Sequence, residues 1–238
     1  MLQTLSSLGR ETARIVLHAP CIVCGGELPW RARRASCCAA CWSALPAITA
    51  QRCNLCALPL TAGQTCLDCI RDPLPVGWTE AWGRYAGALE RVLHAFKFEG
   101  HDFFDAPLAA LVEASLRARG DLAFDAVVPV PMHRAKRRRR GYNQAELLAR
   151  ALGRRIGARC DISLLAKRGD TPAQSKLARA ARAANVRQAF AASPRAAGLS
   201  LLLVDDVSTT GETIRACAQE LLRAGAGRVC AAVVAKTV

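Results

Sequence analysis

Leu201 to Val204 is an unbroken apolar run that ends in two adjacent acids, Asp205 and Asp206, and passes at once into Val207–Ser208–Thr209–Thr210–Gly211–Glu212–Thr213. A short apolar run bounded by turn residues reads as a strand buried on both faces. Apolar positions then return at helical spacing from Ile214 to Leu222, so the turn opens a helix that stops near Gly225. A buried strand feeding directly into a helix constrains the chain to an α/β architecture. Backbone amides at the start of such a helix form an anion site, favoured by the helix dipole. Gly211 lets the backbone approach a phosphate, and Thr209, Thr210 and Thr213 add hydroxyl donors. Carboxylates at the strand end can accept hydrogen bonds from vicinal ribose hydroxyls. The combination suits a ribose 5-phosphate. An ordinary turn with a capping threonine is the plainer reading, but side-by-side acids cost energy unless they are used.

The remaining chain supports the same class. Leu89, Val92, Leu93 and Phe96 fall at helical spacing, as do Leu108, Leu111, Val112 and Leu116, and a further helix is expected from about Tyr142 to Ile156. Compact apolar runs at Ala126–Val130, Leu199–Val204 and Val229–Val234 read as strands. Strands alternating with helices imply crossovers and a mostly parallel sheet. Composition changes near Asp72–Pro73–Leu74–Pro75, which sets an expected division into residues 1–72 and 73–238. A short helix is expected ahead of the first cysteines, over Leu5 to His18.

Nine of the twelve cysteines lie in the first seventy residues, and eight form Cys-x-x-Cys pairs: Cys21/Cys24, Cys38/Cys41, Cys53/Cys56 and Cys66/Cys69. Two intervening residues let a tight knuckle aim both thiolates at one ion, and two knuckles complete a tetrahedral zinc site. Gly25 suits the turn after the first knuckle. Pairing in chain order gives one ion to Cys21, Cys24, Cys38 and Cys41 and another to Cys53, Cys56, Cys66 and Cys69. A crossed arrangement stays open, as does Cys37 in place of Cys38. Closed sites of four thiolates leave no position for a substrate, so one or two zinc ions are expected to be structural and to supply much of this small region's folding energy.

No apolar run approaches the roughly 20 residues of a membrane span, and Arg10, Glu11 and Arg14 interrupt any secretory leader. A cytoplasmic protein with reduced thiols and no membrane insertion is expected. The net charge of +14 is confined to residues 131–195, where seventeen Arg and Lys face three acids; elsewhere the two signs balance. Such a field attracts phosphates, in a small polyanion or along a nucleic acid.

Two more stretches carry a resemblance. Val127–Val128–Pro129–Val130–Pro131 precedes Arg134, Lys136 and Arg137 to Arg140, and then Gly141–Tyr142–Asn143–Gln144. The stretch Lys167 to Phe190 has no aliphatic run of strand length but carries Lys167, Arg168, Lys176, Arg179, Arg182 and Arg187, as a hood closing over a substrate would. Together with the four cysteine pairs, Ala95–Phe96–Lys97–Phe98 and the Asp205–Thr213 loop, this order resembles the ComF family of late-competence, amidophosphoribosyltransferase-like proteins. The loop itself is similar to the PRPP (5-phosphoribosyl pyrophosphate) signature of type I phosphoribosyltransferases.

The resemblance implies a type I phosphoribosyltransferase core with a double zinc ribbon ahead of it. It implies a PRPP site and, in some members, a link to natural competence and DNA uptake. On that reading Asp205 and Asp206 are the catalytic acids, and Ser208, Thr209, Thr210, Gly211, Glu212 and Thr213 bind the 5-phosphate. Lys97, Arg134, Lys136, Arg140 and Lys167 are the candidates for the pyrophosphate and hood, and magnesium accompanies PRPP. Transfer of the phosphoribosyl group to an unidentified acceptor is the expected reaction. A glutaminase half is not expected, because the chain starts Met1–Leu2 and its first cysteine sits in a knuckle. No acceptor-activating base stands out, His94, His101 and His133 reading as incidental. Two rivals share these residues: a competence adaptor binding single-stranded DNA or other competence machinery, and a PRPP sensor without turnover. Against stacking on single strands, the basic stretch holds only Tyr142 and Phe190 as aromatics.

Overall fold

The computed structural model describes residues 20–28, 36–168 and 189–238. The helix expected over Leu5 to His18, and the hood residues Lys176, Arg179, Arg182 and Arg187, lie outside the described residues. Short helices α1 (Ala39–Ser43) and α2 (Leu67–Arg71) belong to the cysteine-rich region. Then follow β1 (Thr79–Arg84), α3 (Gly87–Phe98), α4 (Asp105–Arg119), β2 (Ala126–Pro129), α5 (Arg134–Arg140), α6 (Gln144–Ile156), β3 (Arg159–Cys160), β4 (Leu165–Lys167), β5 (Phe190–Ala192), β6 (Ser200–Ser208), α7 (Glu212–Arg223) and β7 (Arg228–Lys236).

Five strands form one parallel sheet in the order β1-β7-β6-β2-β3. β4 and β5 pair antiparallel as a separate ribbon whose two strands bracket residues 168–189. The sequence shows neither strand, since three residues are too few for a period to emerge.

Alternation along β6 divides the core. Leu201 and Leu203 face the side carrying α7, with Ile214, Cys217 and Leu221 buried against them. Leu202 and Val204 face the side of α3, α4 and α6, where Leu89, Leu93, Phe96, Leu108, Leu116, Leu148 and Leu152 are fully buried. Each such side chain stabilises the fold by about 1.5–3 kcal/mol. Helix ends follow their residues: the Asn143 side chain accepts a hydrogen bond from the Ala145 amide and starts α6, and Gly157 at φ +75° ends it.

The two cysteine knuckle pairs dock on opposite faces of this sheet. Cys21 and Leu45 join the core under α3 and α4, whereas Cys53, Cys56, Cys66 and Cys69 join the core under α7. Between them, Ala47 bridges to Gly83 and the Ile48 amide donates to the Trp82 carbonyl, so this segment covers the open edge of β1. A Cβ at Gly83 would lie 2.6 Å from Leu89 Cδ2 and 2.9 Å from the Pro46 carbonyl oxygen, which is why this strand position is glycine.

Candidate functional site

The chain leaves β2 toward β3 on one side and leaves β6 toward β7 on the other. The crevice between the carboxyl ends of β2 and β6 is therefore a topological switch point, where ligands bind in open α/β sheets. β2 stops at Pro129, opposite Val204, while β6 runs on to Ser208. The acids expected at a strand end thus lie inside β6, in the part that has outgrown its neighbour.

A cavity of about 340 Å³ fills this crevice. Its walls include Lys97, Phe98, Lys136, Arg140, Lys167, Asp205, Asp206 and Thr213. Both acids and four of the five expected cations are thereby brought together from four separate elements, α3, α5, β4 and β6. Arg134, the fifth, starts α5 and is not among the lining residues. The basic run ahead of the helix expected from about Tyr142 is itself helix α5: the His133 ring nitrogen Nδ1 accepts from the Ala135 amide at its start, and Gly141 ends it. With no apolar residue past Ala135, nothing in its sequence gives a helical period.

Neighbouring strand residues leave the sheet on opposite faces, and here that separates the two acids. Asp206, buried, meets Lys97 at the end of α3, with Nζ 2.8 Å from Oδ2. That approach is off the hydrogen-bonding direction, so Oδ2 of Asp206 keeps an unused acceptor position. Asp205 faces α7 and is partly buried. Desolvation, with the Asp206 charge adding to it, pushes the Asp205 carboxyl well above the usual carboxylate range. Backbone amides of Asp206 and Val207 donate to Asp205 Oδ1 and Asp206 Oδ1. Ser208 Oγ is buried without a hydrogen-bond partner.

The cations are spaced around the opposite wall. Arg140 donates to Gln144 Oε1 at 2.7 Å and lies over the exposed Phe98 ring, 4.6 Å from its centroid. Gln144 in turn donates to the Lys97 carbonyl at 3.2 Å, which ties α6 to the end of α3. Lys167 sits over the Phe190 ring at 5.4 Å. Desolvation, then the charge of Lys136, pulls the Lys167 ammonium below its ordinary range. Phe98 is the aromatic that sequence reading missed here, because it is remote from the basic stretch in the chain.

The expected 5-phosphate loop forms the turn between β6 and α7. Gly211 caps α7 at φ +84°, in the left-handed region, with Leu74 methyls pressed to 3.2 Å of where a Cβ would stand. Of the expected 5-phosphate residues only Thr213 lines the crevice; Thr209, Thr210 and Glu212 instead line a second cavity of about 500 Å³, shared with Cys56, Cys66 and Cys69.

Both cysteine clusters form in chain order, Cys21/Cys24/Cys38/Cys41 and Cys53/Cys56/Cys66/Cys69, each with all four sulfurs within 4.8 Å of one another. Tetrahedral zinc with Zn–S of 2.3 Å places sulfurs about 3.8 Å apart. Here Cys24–Cys38 is 3.9 Å and Cys56–Cys66 is 3.6 Å, so the donor sets fit zinc. The crossed arrangement is not formed, and Cys37 is no ligand: buried beside the first cluster, its thiol is pushed up to about 12 by desolvation and the neighbouring sulfurs. Burial opposes ionisation of Cys21 and Cys53, but amide donors outweigh it and bring them to about 6 and about 7.

Comparisons with known proteins agree with this assembly. A family model described as double zinc ribbon domain matches residues 12–70, and one described as phosphoribosyl transferase domain matches residues 137–237. The DNA utilization protein YhgH of Escherichia coli is 31% identical, over 74% of this chain and 80% of the relative. Competence protein ComFC of Bacillus subtilis is 30% identical, over 79% and 78%, and competence protein F of Haemophilus influenzae is 28% identical, over 68% and 74%. Among solved structures, the glutamine PRPP amidotransferase from B. subtilis in complex with ADP and GMP is similar with a TM-score of 0.37 and 19% identity; the match covers 56% of this chain and 26% of that one. Among the described residues no helix is long and apolar enough to cross a membrane. With its paired cysteine clusters, its parallel sheet and its relatives at about 30% identity, the chain belongs to the ComF/YhgH family.

Proposed function

We propose that the chain binds PRPP with magnesium in the β2/β6 crevice and transfers the 5-phosphoribosyl group to an acceptor. Residues 1–72 would act as a double zinc ribbon and 73–238 as the phosphoribosyltransferase domain. The observation that carries this reading is the convergence, at one switch point, of two strand-borne acids, Thr213 from the first turn of α7 and a wall of cations. Oδ2 of Asp206 and Ser208 Oγ, buried with unused hydrogen-bonding capacity, are what a polyhydroxylated ligand would satisfy.

In this reading Asp205 and Asp206 hold the ribose hydroxyls, and Ser208 to Thr213 hold the 5-phosphate, fixing the sugar although the phosphate is remote from the reacting carbon. The bond from C1 to the pyrophosphate oxygen breaks, its electron pair leaving with pyrophosphate. A lone pair of the acceptor forms the new bond to C1. Lys136, Arg140 and Lys167 would face the departing charge, whereas Arg134, exposed at the start of α5, is not among the crevice lining. Magnesium would supply charge neutralisation on the phosphates when bound with PRPP. Lys97 sits on Asp206 and would shift toward the pyrophosphate as the carboxylate takes up its ligand.

Calorimetry with PRPP, with and without magnesium, tests the reading on wild type and on Asp205→Ala/Asp206→Ala. Magnesium-dependent heat that the double variant loses is the expected result; no heat at millimolar PRPP would sink it. A second reading, a nucleic-acid adaptor, is favoured by the exposed arginines of α5 and by relatives named for DNA utilization and competence. Salt separates the two, because binding to a nucleic acid falls steeply with ionic strength.

A further inference from the structure

The second cysteine cluster and the 5-phosphate loop share more than a cavity wall. Lys236, the last residue of β7, is 4% exposed. It stands opposite Ser208 in the sheet, and its ammonium donates to the Thr209 carbonyl. Burying an ammonium is costly unless opposite charge is near. Lys236 lines the second cavity together with Cys56, Cys66, Cys69 and Thr209, so negative charge on those sulfurs would act against the desolvation that lowers the Lys236 pKa. Four thiolates around one divalent ion keep a net negative charge, so the metal-loaded cluster still holds the lysine.

Geometry then passes this hold to the loop. The C=O and N–H of a trans peptide point in opposite directions, and there is no cis peptide bond among the described residues. Fixing the Thr209 carbonyl toward Lys236 therefore turns the Thr210 amide away from it. From the same side, the Arg215 guanidinium donates to the Pro73 and Asp72 carbonyls at 2.9 and 3.0 Å, and Leu74 presses on Gly211. The chain leaving the last cysteine knuckle is thus clamped to the first turn of α7. The first cluster packs on the far face of the sheet and lines neither the crevice nor the second cavity.

We propose that Lys236 is a positioning residue through which the Cys53/Cys56/Cys66/Cys69 centre sets the 5-phosphate loop, making that centre part of the phosphate site. The identity of the ligand rests on the preceding reading; the coupling of cluster to loop does not.

The test uses the full chain loaded with zinc. Hydrogen exchange of the 209–213 amides, without ligand, reads the loop; calorimetry with magnesium and PRPP reads the site; elemental analysis reads the metal. Lys236→Met should keep its zinc, exchange the loop amides about tenfold faster and bind PRPP about tenfold more weakly, with Lys236→Arg restoring most of both. Unchanged loop exchange in a zinc-loaded Lys236→Met overturns the proposal. Should that variant not fold, stepwise chelation of wild type decides: loop protection that survives loss of the second metal, with the rest of the sheet still protected, also overturns it. If the loop responds as expected but wild type gives no heat with PRPP, the coupling stands and the ligand assignment falls.

Discussion

The two faces of the sheet carry the same inventory put to different use. Each has a four-cysteine cluster and one of the paired acids. On the α3/α4/α6 face the cluster is partly exposed, with Cys24 in solvent, and joins the core with Leu28 and Leu45 without lining the crevice. Its acid, Asp206, is compensated by Lys97. On the α7 face all four cysteines are buried, the cluster shares a cavity with the phosphate loop, and Asp205 stands without a cation of its own at ion-pair distance among the described residues. One face is built for stability. The other holds a partly buried acid with no ion-pair partner among the described residues, as expected where structure serves binding.

The sharpest way to break this comparison is to remove one ligand from each cluster. Cys56→Ser should cost one zinc, lower the melting temperature by more than ten degrees and abolish calorimetric PRPP binding, since structural zinc supplies on the order of 10 kcal/mol of folding free energy. Cys24→Ser, at an exposed ligand, should also cost one zinc but weaken PRPP binding by no more than about threefold. Equal losses of binding in the two variants would mean that the clusters act only through global stability.

The acids give the next largest effect, opposite in sign on the two faces. A carboxyl whose folded pKa is raised contributes stability below its unfolded pKa, and that contribution is lost as pH rises through the folded value. Wild type should therefore lose stability on going from acid to neutral pH through the Asp205 titration. Asp205→Asn should remove that loss and melt about 2–4 °C higher near neutral pH, for a gain of about 1 kcal/mol. Asp206→Asn should melt lower, because Lys97 loses its partner at a cost of about 1–3 kcal/mol. Both should lose PRPP binding. Thermal melts from pH 4 to 8 check the signs, and stabilisation by Asp206→Asn would show that the pair with Lys97 does not hold the fold.

What the sequence made legible follows the same division of labour. Elements whose stability comes from continuous or periodic apolar burial, such as α3, α4, α6, β6, α7 and β7, are readable because the physics that forms them is local in the chain. The two clusters are readable from spacing alone. β1 is not, because it carries Glu80, buried between Arg52 and Arg119 at 2.8 and 3.1 Å, and neither arginine is near it in sequence. α5 is not, because caps and not burial define it. At the site, the acids and the loop form one contiguous motif and could be found, whereas the Lys97–Asp206 pair, Phe98 beneath Arg140 and the tie from Lys236 to Thr209 join residues that only the folded sheet makes neighbours.

The smallest expected effect tests whether the two knuckle pairs differ in themselves or only in what surrounds them. Gly25 follows Cys24 at φ +73°, and Ala57 follows Cys56 at φ +61°, so both turns need a left-handed residue in the same place. An alanine there costs about 1 kcal/mol in backbone strain. At Ala57 the methyl is fully buried in the core under α7, and packing offsets the strain. At Gly25 nothing lies within 4 Å of a Cβ, so Gly25→Ala would carry the strain with no packing in return. It should lower the zinc affinity of the first cluster about fivefold in chelator competition and leave the second cluster's affinity unchanged. If Gly25→Ala holds zinc as tightly as wild type, the left-handed turn is not what limits the first cluster, and the difference between the faces lies wholly in the core that each cluster joins.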